Sequence, residues 1–149
     1  MSSPDLPFGF LLADVQRLYR RRFEREAEAA GLGLTSGEAR ALAHLSVDEG
    51  VRQTALAERM SIDPMTLVAF LDGLEAKGLV VREPDPSDRR AKRVRLTPEA
   101  APAVAAIRAV GQRVRGVATR GMSADEVAAL RRAVALIITN LCEAEATAS

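Results

Sequence analysis

The sequence predicts a mainly α-helical fold with one small antiparallel β-hairpin after its first half. Apolar residues make up 48% of the 149 residues and aromatic residues only 3%, so the core must be built from Ala, Leu and Val, which favours helices. Over most of the chain, apolar side chains recur at spacings of three and four, as on one face of a helix. Between residues 79 and 96 they alternate with polar ones, as in half-buried strands.

Length and composition predict one folded domain over residues 1–149. With one cysteine and one histidine, the chain has neither a disulfide framework of its own nor the Cys/His cluster of a zinc site, and we expect no metal or cofactor. Cys142 is predicted to be a buried apolar side chain. The apolar run at residues 8–13 is too short for a signal sequence or a membrane span, so we expect a cytoplasmic protein.

Two helices are predicted before residue 50. The first covers residues 6–30, with arginines between its apolar positions, and the glycines that follow it end the helix. The second begins at a capping box, in which Thr35 precedes Glu38 by three residues, and it runs to about Asp48.

Residues 53–78 predict a helix-turn-helix, that is, two short helices with a tight connection. Asp63 is placed to cap the second helix, and Pro64 occupies its first position, where a missing N–H costs nothing. The side chains predicted to face the core are Leu56, Ala57 and Met60 on the first helix and Leu67, Phe70, Leu71 and Leu74 on the second.

A β-hairpin with a basic loop is predicted next. Residues 79–81 form a short strand, residues 83–88 are polar and interrupted by prolines, and Val94 and Leu96 alternate with arginines. Residues 82–95 hold six basic and three acidic side chains, although the net charge of the chain is only +1. Charge runs are commonly just soluble surface, but a basic hairpin directly after a helix-turn-helix favours contact with DNA.

Two more helices follow, one from Pro98 to about Gly121 and one that begins at a second capping box, Ser123 to Glu126. Together with the first helix they carry more apolar surface than a domain of this size can bury within itself. The predicted order is therefore a winged helix-turn-helix lobe, residues 35–97, flanked by helical segments at residues 6–30 and 98–146.

Three stretches of this lobe resemble the MarR family of bacterial transcriptional regulators. They are Leu-Ala-Glu-Arg-Met at residues 56–60, Leu-Asp-Gly-Leu-Glu-Ala-Lys-Gly-Leu-Val at residues 71–80, and Asp-Pro-Ser-Asp-Arg-Arg-Ala-Lys at residues 85–92, followed by Val-Arg-Leu-Thr at residues 94–97. The resemblance covers nearly the whole chain, and the Asp-Arg-Arg sequence is its most specific part. It implies a sequence-specific regulator, usually a repressor, that binds a pseudo-palindromic operator as a homodimer.

The resemblance also implies a role for each part. The helix at residues 64–77 enters the major groove, the wing at residues 84–93 reaches the minor groove, and the helical segments at both ends dimerise. Arg90 is the wing residue inserted into the minor groove, and Asp88 helps to hold the wing arginines. The candidate DNA-contacting residues are Met65, Thr66, Val68 and Ala69 on the helix and Asp88, Arg89, Arg90, Lys92 and Arg93 on the wing.

The recognition helix departs from the usual family pattern at the positions that face the bases. Among its candidate contacts only Thr66 can both donate and accept a hydrogen bond. We therefore expect apolar contacts to thymine methyl groups and a larger share of shape readout through the wing. Gly73 stands where the family usually has Arg, and it is expected to cost about 1 kcal/mol of helix stability relative to Ala.

Relatives often release DNA when a small aromatic or phenolic compound binds between the dimer helices and the DNA-binding lobe. Tyr19, Phe23, Arg40 and His44 could line such a cleft, although we assign no ligand residue. An enzyme is not expected, because nothing in the sequence assembles a nucleophile and a base. The remaining alternative is a helical dimer that acts through a protein partner, with weak or lost DNA binding.

Overall fold

Within residues 5–148, which the computed structural model describes, six α-helices accompany a three-stranded antiparallel sheet. The elements are α1 (Phe8–Ala29), α2 (Ser36–Leu45), β1 (Val51–Arg52), α3 (Gln53–Met60), α4 (Pro64–Ala76), β2 (Val80–Asp85), β3 (Asp88–Leu96), a 3-10 turn (Pro98–Ala100), α5 (Ala101–Ala118) and α6 (Ala124–Ala148). These elements confirm the predicted fold class. The chain divides into two compact units, of which the first ends at Val114 and the second begins at Arg115.

Helix α2 begins at the predicted capping box and ends earlier than predicted. The Thr35 N–H donates to Glu38 Oε2 (2.9 Å), and the Glu38 N–H donates to Thr35 Oγ1 (3.2 Å). The helix ends at Leu45, three residues before the predicted end, and the Val47 N–H closes its last turn with a 3-10 type hydrogen bond to the His44 carbonyl (3.1 Å).

The helix-turn-helix has the predicted caps and core. Asp63 Oδ1 accepts a hydrogen bond from the Thr66 N–H (2.9 Å), and Pro64 opens α4. Phe70 is only half-buried, because its ring lies at the edge of the core against the backbone of α2 at Gly37. The large side chains at the centre of this core are Leu42, Leu45, Leu56, Met60, Leu67, Leu71, Leu74, Val80 and Val94.

The sheet has the strand order β1–β3–β2, and β1 has no counterpart in the sequence-based prediction. Val51 and Arg52 pair with residues of β3, but a strand of two residues is too short to show alternation in a sequence. β2 continues to Asp85, beyond the predicted end at residue 81, because β3 supplies pairing partners along it. The hairpin loop is therefore only residues 86–87, and the basic residues lie on β3 instead of in a loop.

A close approach between α2 and α4 explains the glycine at position 73. Glu38 is only 5% exposed, and while it closes the capping box it also accepts a hydrogen bond from Lys77 Nζ (2.8 Å). A Cβ at Gly73 would overlap the Glu38 carboxylate. Glycine therefore lets this carboxylate bridge the two helices, which offsets the helix-stability cost expected from its sequence position.

The second unit contains the end of α5 and helix α6. The Ser123 N–H donates to Glu126 Oε2 (2.7 Å) and the Glu126 N–H donates to Ser123 Oγ (3.2 Å), so the predicted capping box is present. None of the described residues of α6 is buried. Cys142 is therefore exposed in the single chain, and the prediction of a buried side chain is wrong. Within residues 5–148, no helix has both the length and the apolar character needed to cross a membrane.

Candidate nucleic-acid interface

The start of α4 presents the four candidate contacts of the recognition helix. Met65 is 75% exposed and Ala69 is also exposed, whereas Thr66 and Val68 are half-buried. The Thr66 hydroxyl donates to Asp63 Oδ2, so its proton is occupied while its oxygen remains available as an acceptor. This hydrogen bond is the main cause that lowers the pKa of Asp63. In this state Thr66 is suited to accept a hydrogen bond from the amino group of an adenine or a cytosine.

The wing, residues 84–93, has an irregular tip. Pro84 pairs with Lys92, but the next residue, Asp85, pairs with Asp88, so residues 89–91 of β3 have no register partner on β2. A bulge of this kind interrupts the regular alternation of a strand and re-aims its side chains. Here the basic side chains at positions 89 and 90 are both exposed.

The basic side chains of the β2–β3 hairpin fall into two groups. Three of them form ion pairs: Arg82 with Asp72 and Glu75 of α4, Arg93 with Asp85, and Arg95 with Glu83. The side chains of Arg89, Arg90 and Lys92 form no ion pair or hydrogen bond with any residue in the described part of the chain. Because these three cations have no internal bond to break, they are the ones best placed to neutralise phosphates and displace counterions.

The tip of the wing is held by Asp85, whose side chain is fully buried. Its Oδ2 accepts hydrogen bonds from Arg52 Nε (2.7 Å) and Arg93 Nε (2.9 Å). Its Oδ1 accepts hydrogen bonds from the Ser87 N–H (2.8 Å) and the Ser87 hydroxyl (2.6 Å). These donors, the Ser87 hydroxyl first, hold the pKa of Asp85 far below its usual range. The wing is therefore anchored through Arg52 to β1, the strand that leads into α3.

Sequence reasoning missed Asp85 and Arg52 as functional candidates. An Asp two residues before a Ser is a local turn signal that points to Asp85, but Arg52 lies 33 residues away and nothing local marks it. Asp88, the expected holder of the wing arginines, accepts a hydrogen bond from the backbone N–H of Arg90 (3.0 Å). Arg93, one of the candidate DNA contacts, donates to Asp85 and so forms part of the wing anchor, and its contact with DNA stays a prediction.

A cavity of about 470 Å³ lies next to the turn between α3 and α4. Its lining includes the four residues that sequence analysis suggested for a ligand cleft, Tyr19, Phe23, Arg40 and His44. Apolar side chains of α1, α2 and α3 make up much of the remaining wall. Among the described residues that line the cavity, three are arginines and none is acidic. Two of these arginines are already paired, Arg20 with Glu24 and Arg59 with Asp48, so Arg40 is the lining cation best placed to meet a small, mostly apolar ligand that carries negative charge.

His44, the one histidine of the chain, is expected to make stability pH-dependent. Burial first, and then the charges of Arg40 and Arg59, lower the pKa of its imidazole. The unfolded chain therefore binds a proton where the folded protein does not, and the free energy of unfolding decreases as the pH falls below about 6.5. We expect His44→Gln to reduce the drop in Tm between about pH 7.5 and pH 5.5, measured by thermal unfolding at constant ionic strength. An equal drop in both proteins would contradict this expectation.

Proteins of known structure share the fold of this chain. A model of the MarR family matches residues 34–92. The crystal structure of transcriptional regulator PA3341 is 34% identical to this chain, with a TM-score of 0.77, and the match covers 92% of this chain and 99% of that one. A MarR-family transcriptional regulator from Silicibacter pomeroyi is 28% identical, with a TM-score of 0.75 and coverages of 89% and 88%. The apo form of wild-type MarR from E. coli is 26% identical, with a TM-score of 0.71 and coverages of 91% and 98%.

Proposed function

The chain belongs to the MarR family, and from this premise we propose that it represses transcription by binding a pseudo-palindromic operator as a homodimer. In the proposed complex α4 lies in the major groove and the wing reaches the minor groove with Arg90 inserted. Arg89 and Lys92 bind phosphates beside it. The start of α4, with Thr66 as its one polar candidate, faces the bases. The proposal is for a cytoplasmic regulator without catalytic activity.

The observation that carries this proposal is the set of unpaired cations at the wing tip. Arg89, Arg90 and Lys92 are exposed and have no internal partner in the described part of the chain, although acidic side chains neutralise the other hairpin arginines. Arg82 ties β2 to Asp72 (2.5 Å) on α4. This ion pair supports a rigid surface in which α4 and the wing approach DNA together.

Exposed apolar side chains support the proposed homodimer. On α1, Phe8 is 59% and Phe10 is 66% exposed, and on α6, Leu136 is 60% and Leu141 is 62% exposed. Soluble monomers rarely leave apolar side chains exposed in such numbers, and a second copy of the chain is the partner that the family resemblance implies. A two-fold dimer would place its two α4 helices about 34 Å apart, which matches successive major grooves on one face of DNA.

The cavity beside α3 supports control of DNA binding by a small molecule. We propose that a small aromatic or phenolic compound with a negative charge binds there and lowers the affinity for DNA. The aromatic rings of Tyr19 and Phe23 supply apolar contacts for such a ligand, and Arg40 supplies the cationic one.

Fluorescence-anisotropy titration tests DNA binding, with the duplex immediately upstream of the gene for this chain compared with a scrambled duplex. We expect the upstream duplex to bind roughly a thousandfold more tightly or better. Arg90→Ala removes one contact from each wing of the dimer, so affinity should fall by about tenfold to a hundredfold. The slope of log affinity against log salt should decrease by about two. The matched control is Arg95→Ala, since Arg95 lies on the same strand but is paired with Glu83, and it should change both quantities much less.

Equal, weak binding of both duplexes, with no effect of Arg90→Ala, would contradict the proposed function. That result would favour the second candidate, a helical dimer that acts through a protein partner. The observation in favour of this alternative is the apolar character of the exposed start of α4, where Met65 is 75% exposed. The salt slope separates the two candidates, because phosphate neutralisation makes it steep and a protein interface does not.

A further inference from the structure

One arginine joins the cavity to the turn that precedes α4. Arg40 Nη2 donates to the carbonyl oxygen of Met60, the last residue of α3 (3.0 Å). The side chain of Arg40 is only 11% exposed, and both Arg40 and Met60 line the cavity. Carbonyls in the last turn of a helix have no partner within the helix, so a cation at this place satisfies an acceptor and interacts favourably with the helix dipole.

The turn after Met60 is held by hydrogen bonds to carbonyls of α3. Ser61 has φ 53° and ψ 47°, in the left-handed region that residues other than glycine rarely occupy. The N–H groups of Ser61 and Ile62 donate back to carbonyls of α3 at 3.0 and 3.1 Å. Only residues 61–63 separate Met60 from α4, so a movement of the Met60 carbonyl is transmitted to the start of the recognition helix.

Arg40 has one carboxylate partner, which is distant and is shared with a second arginine. The nearest carboxylate oxygen, Glu24 Oε1, lies 4.0 Å from Arg40 Nη1, and the same oxygen accepts a hydrogen bond from Arg20 Nε (3.0 Å). Burial first, and then the charge of Arg20, lower the pKa of Arg40. An anion in the cavity would supply a closer counter-ion than Glu24.

We propose that Arg40 couples the cavity to the recognition helix. Its hydrogen bond to Met60 holds the turn before α4 in the DNA-binding position, and a carboxylate bound in the cavity draws the guanidinium away and releases the turn. This inference rests on the proposed function, in which the protein binds DNA through α4 and a ligand through the cavity. Arg40 is a positioning residue, since it acts on DNA through the Met60 carbonyl and not by contact.

Hydrogen exchange followed by mass spectrometry tests the positioning role without DNA or ligand. In Arg40→Met the amides of residues 61–63, 65 and 66 should exchange about tenfold faster than in the wild type, because the bond from a charged donor is lost. Arg108→Met is the matched control. Arg108 Nη2 donates to the carbonyl of Ser46 after α2 (3.1 Å), and neither residue lines the cavity, so residues 61–66 should exchange at the wild-type rate.

Benzoate and benzamide, which have the same shape and differ in charge, test the response to an anion. In the wild type, benzoate should weaken binding to the upstream duplex by about tenfold and accelerate exchange at residues 61–66, and benzamide should do neither. Arg40→Met should bind DNA about fivefold more weakly without ligand and should show no further effect of benzoate. Arg108→Met should respond as the wild type does. Thermal unfolding checks that each variant is folded.

Two results would overturn the role of Arg40: a wild-type response to benzoate in Arg40→Met, or wild-type exchange at residues 61–66 in that variant. If benzoate did not change hydrogen exchange at residues 61–66 of the wild type, the proposed response to an anion would also be wrong. If the proposed function itself were wrong, the result would differ: the wild type would bind the upstream and scrambled duplexes equally. The exchange measurements would still decide whether Arg40 holds the turn.

Discussion

Asp85→Ala is expected to weaken binding of the upstream DNA by about a thousandfold, more than the loss of any one wing cation. Without the carboxylate, Arg52 and Arg93 lose their shared acceptor and repel each other, and Ser87 loses two hydrogen bonds. The wing tip is then no longer held, so in both subunits its three unpaired cations no longer contact DNA phosphates. The salt slope should decrease by about five, which anisotropy titrations at several salt concentrations would measure.

The rest of the fold should survive this substitution. The core of the first unit does not include Asp85, and the side chains of Arg52 and Arg93 are 43% and 37% exposed, so water can solvate them once they are released. Glu83→Ala is the matched control, because it removes an acidic side chain of the same hairpin whose pair with Arg95 is exposed. If Asp85→Ala bound DNA as tightly as Glu83→Ala, the wing would be held without this anchor.

The wing anchor should not respond to pH in the neutral range. A carboxyl group with a lowered pKa contributes stability above its unfolded-state pKa of about 3.9, and it loses that contribution only as the pH falls through the folded-state value. The pKa of Asp85 lies far below its usual range, so the group stays ionised wherever DNA binding would be measured. The effect of Asp85→Ala on affinity should therefore be the same at pH values from about 6 to 8.

Local signals in the sequence were sufficient to predict the helix-turn-helix. The capping boxes, the Asp63–Pro64 start of α4 and the spacing of apolar side chains all act over about four residues, which is the range of helical interactions. The burial of Leu67, Leu71 and Leu74 follows from that spacing alone. The candidate contacts at the start of α4 were named from the family resemblance and stay a prediction; of these, Met65 and Ala69 are exposed and Thr66 and Val68 are half-buried.

The wing anchor and strand β1 could not be predicted in this way. The anchor joins Arg52 to Asp85 over 33 positions, and the bridge between α2 and α4 joins Glu38 to Lys77 over 39 positions. A strand of two residues has no period, and β1 forms only because β3 offers it an edge to pair with. Which wing cations remain unpaired is likewise decided by where the folded chain places each acidic side chain, and no local pattern encodes that.

Gly37→Ala is expected to lower the free energy of unfolding by roughly 1 to 3 kcal/mol, although alanine is the better helix former by about 1 kcal/mol. A Cβ at Gly37 would overlap the ring of Phe70, which lies against the first turn of α2. The ring is stiff and packs against the core, so α2 and α4 must move apart to admit the methyl group. Denaturant unfolding measures the loss in stability.

A matched control and a second-site substitution separate this clash from a general effect of glycine. Gly111→Ala, in the interior of α5, should raise stability by about 1 kcal/mol, because a Cβ there meets no atom within 4 Å. Phe70→Leu should recover part of the loss in the double variant with Gly37→Ala, although it destabilises the protein on its own. Because Phe70 lies on α4, Gly37→Ala should also weaken DNA binding. If Gly37→Ala were as stable as Gly111→Ala, this contact would not position the recognition helix.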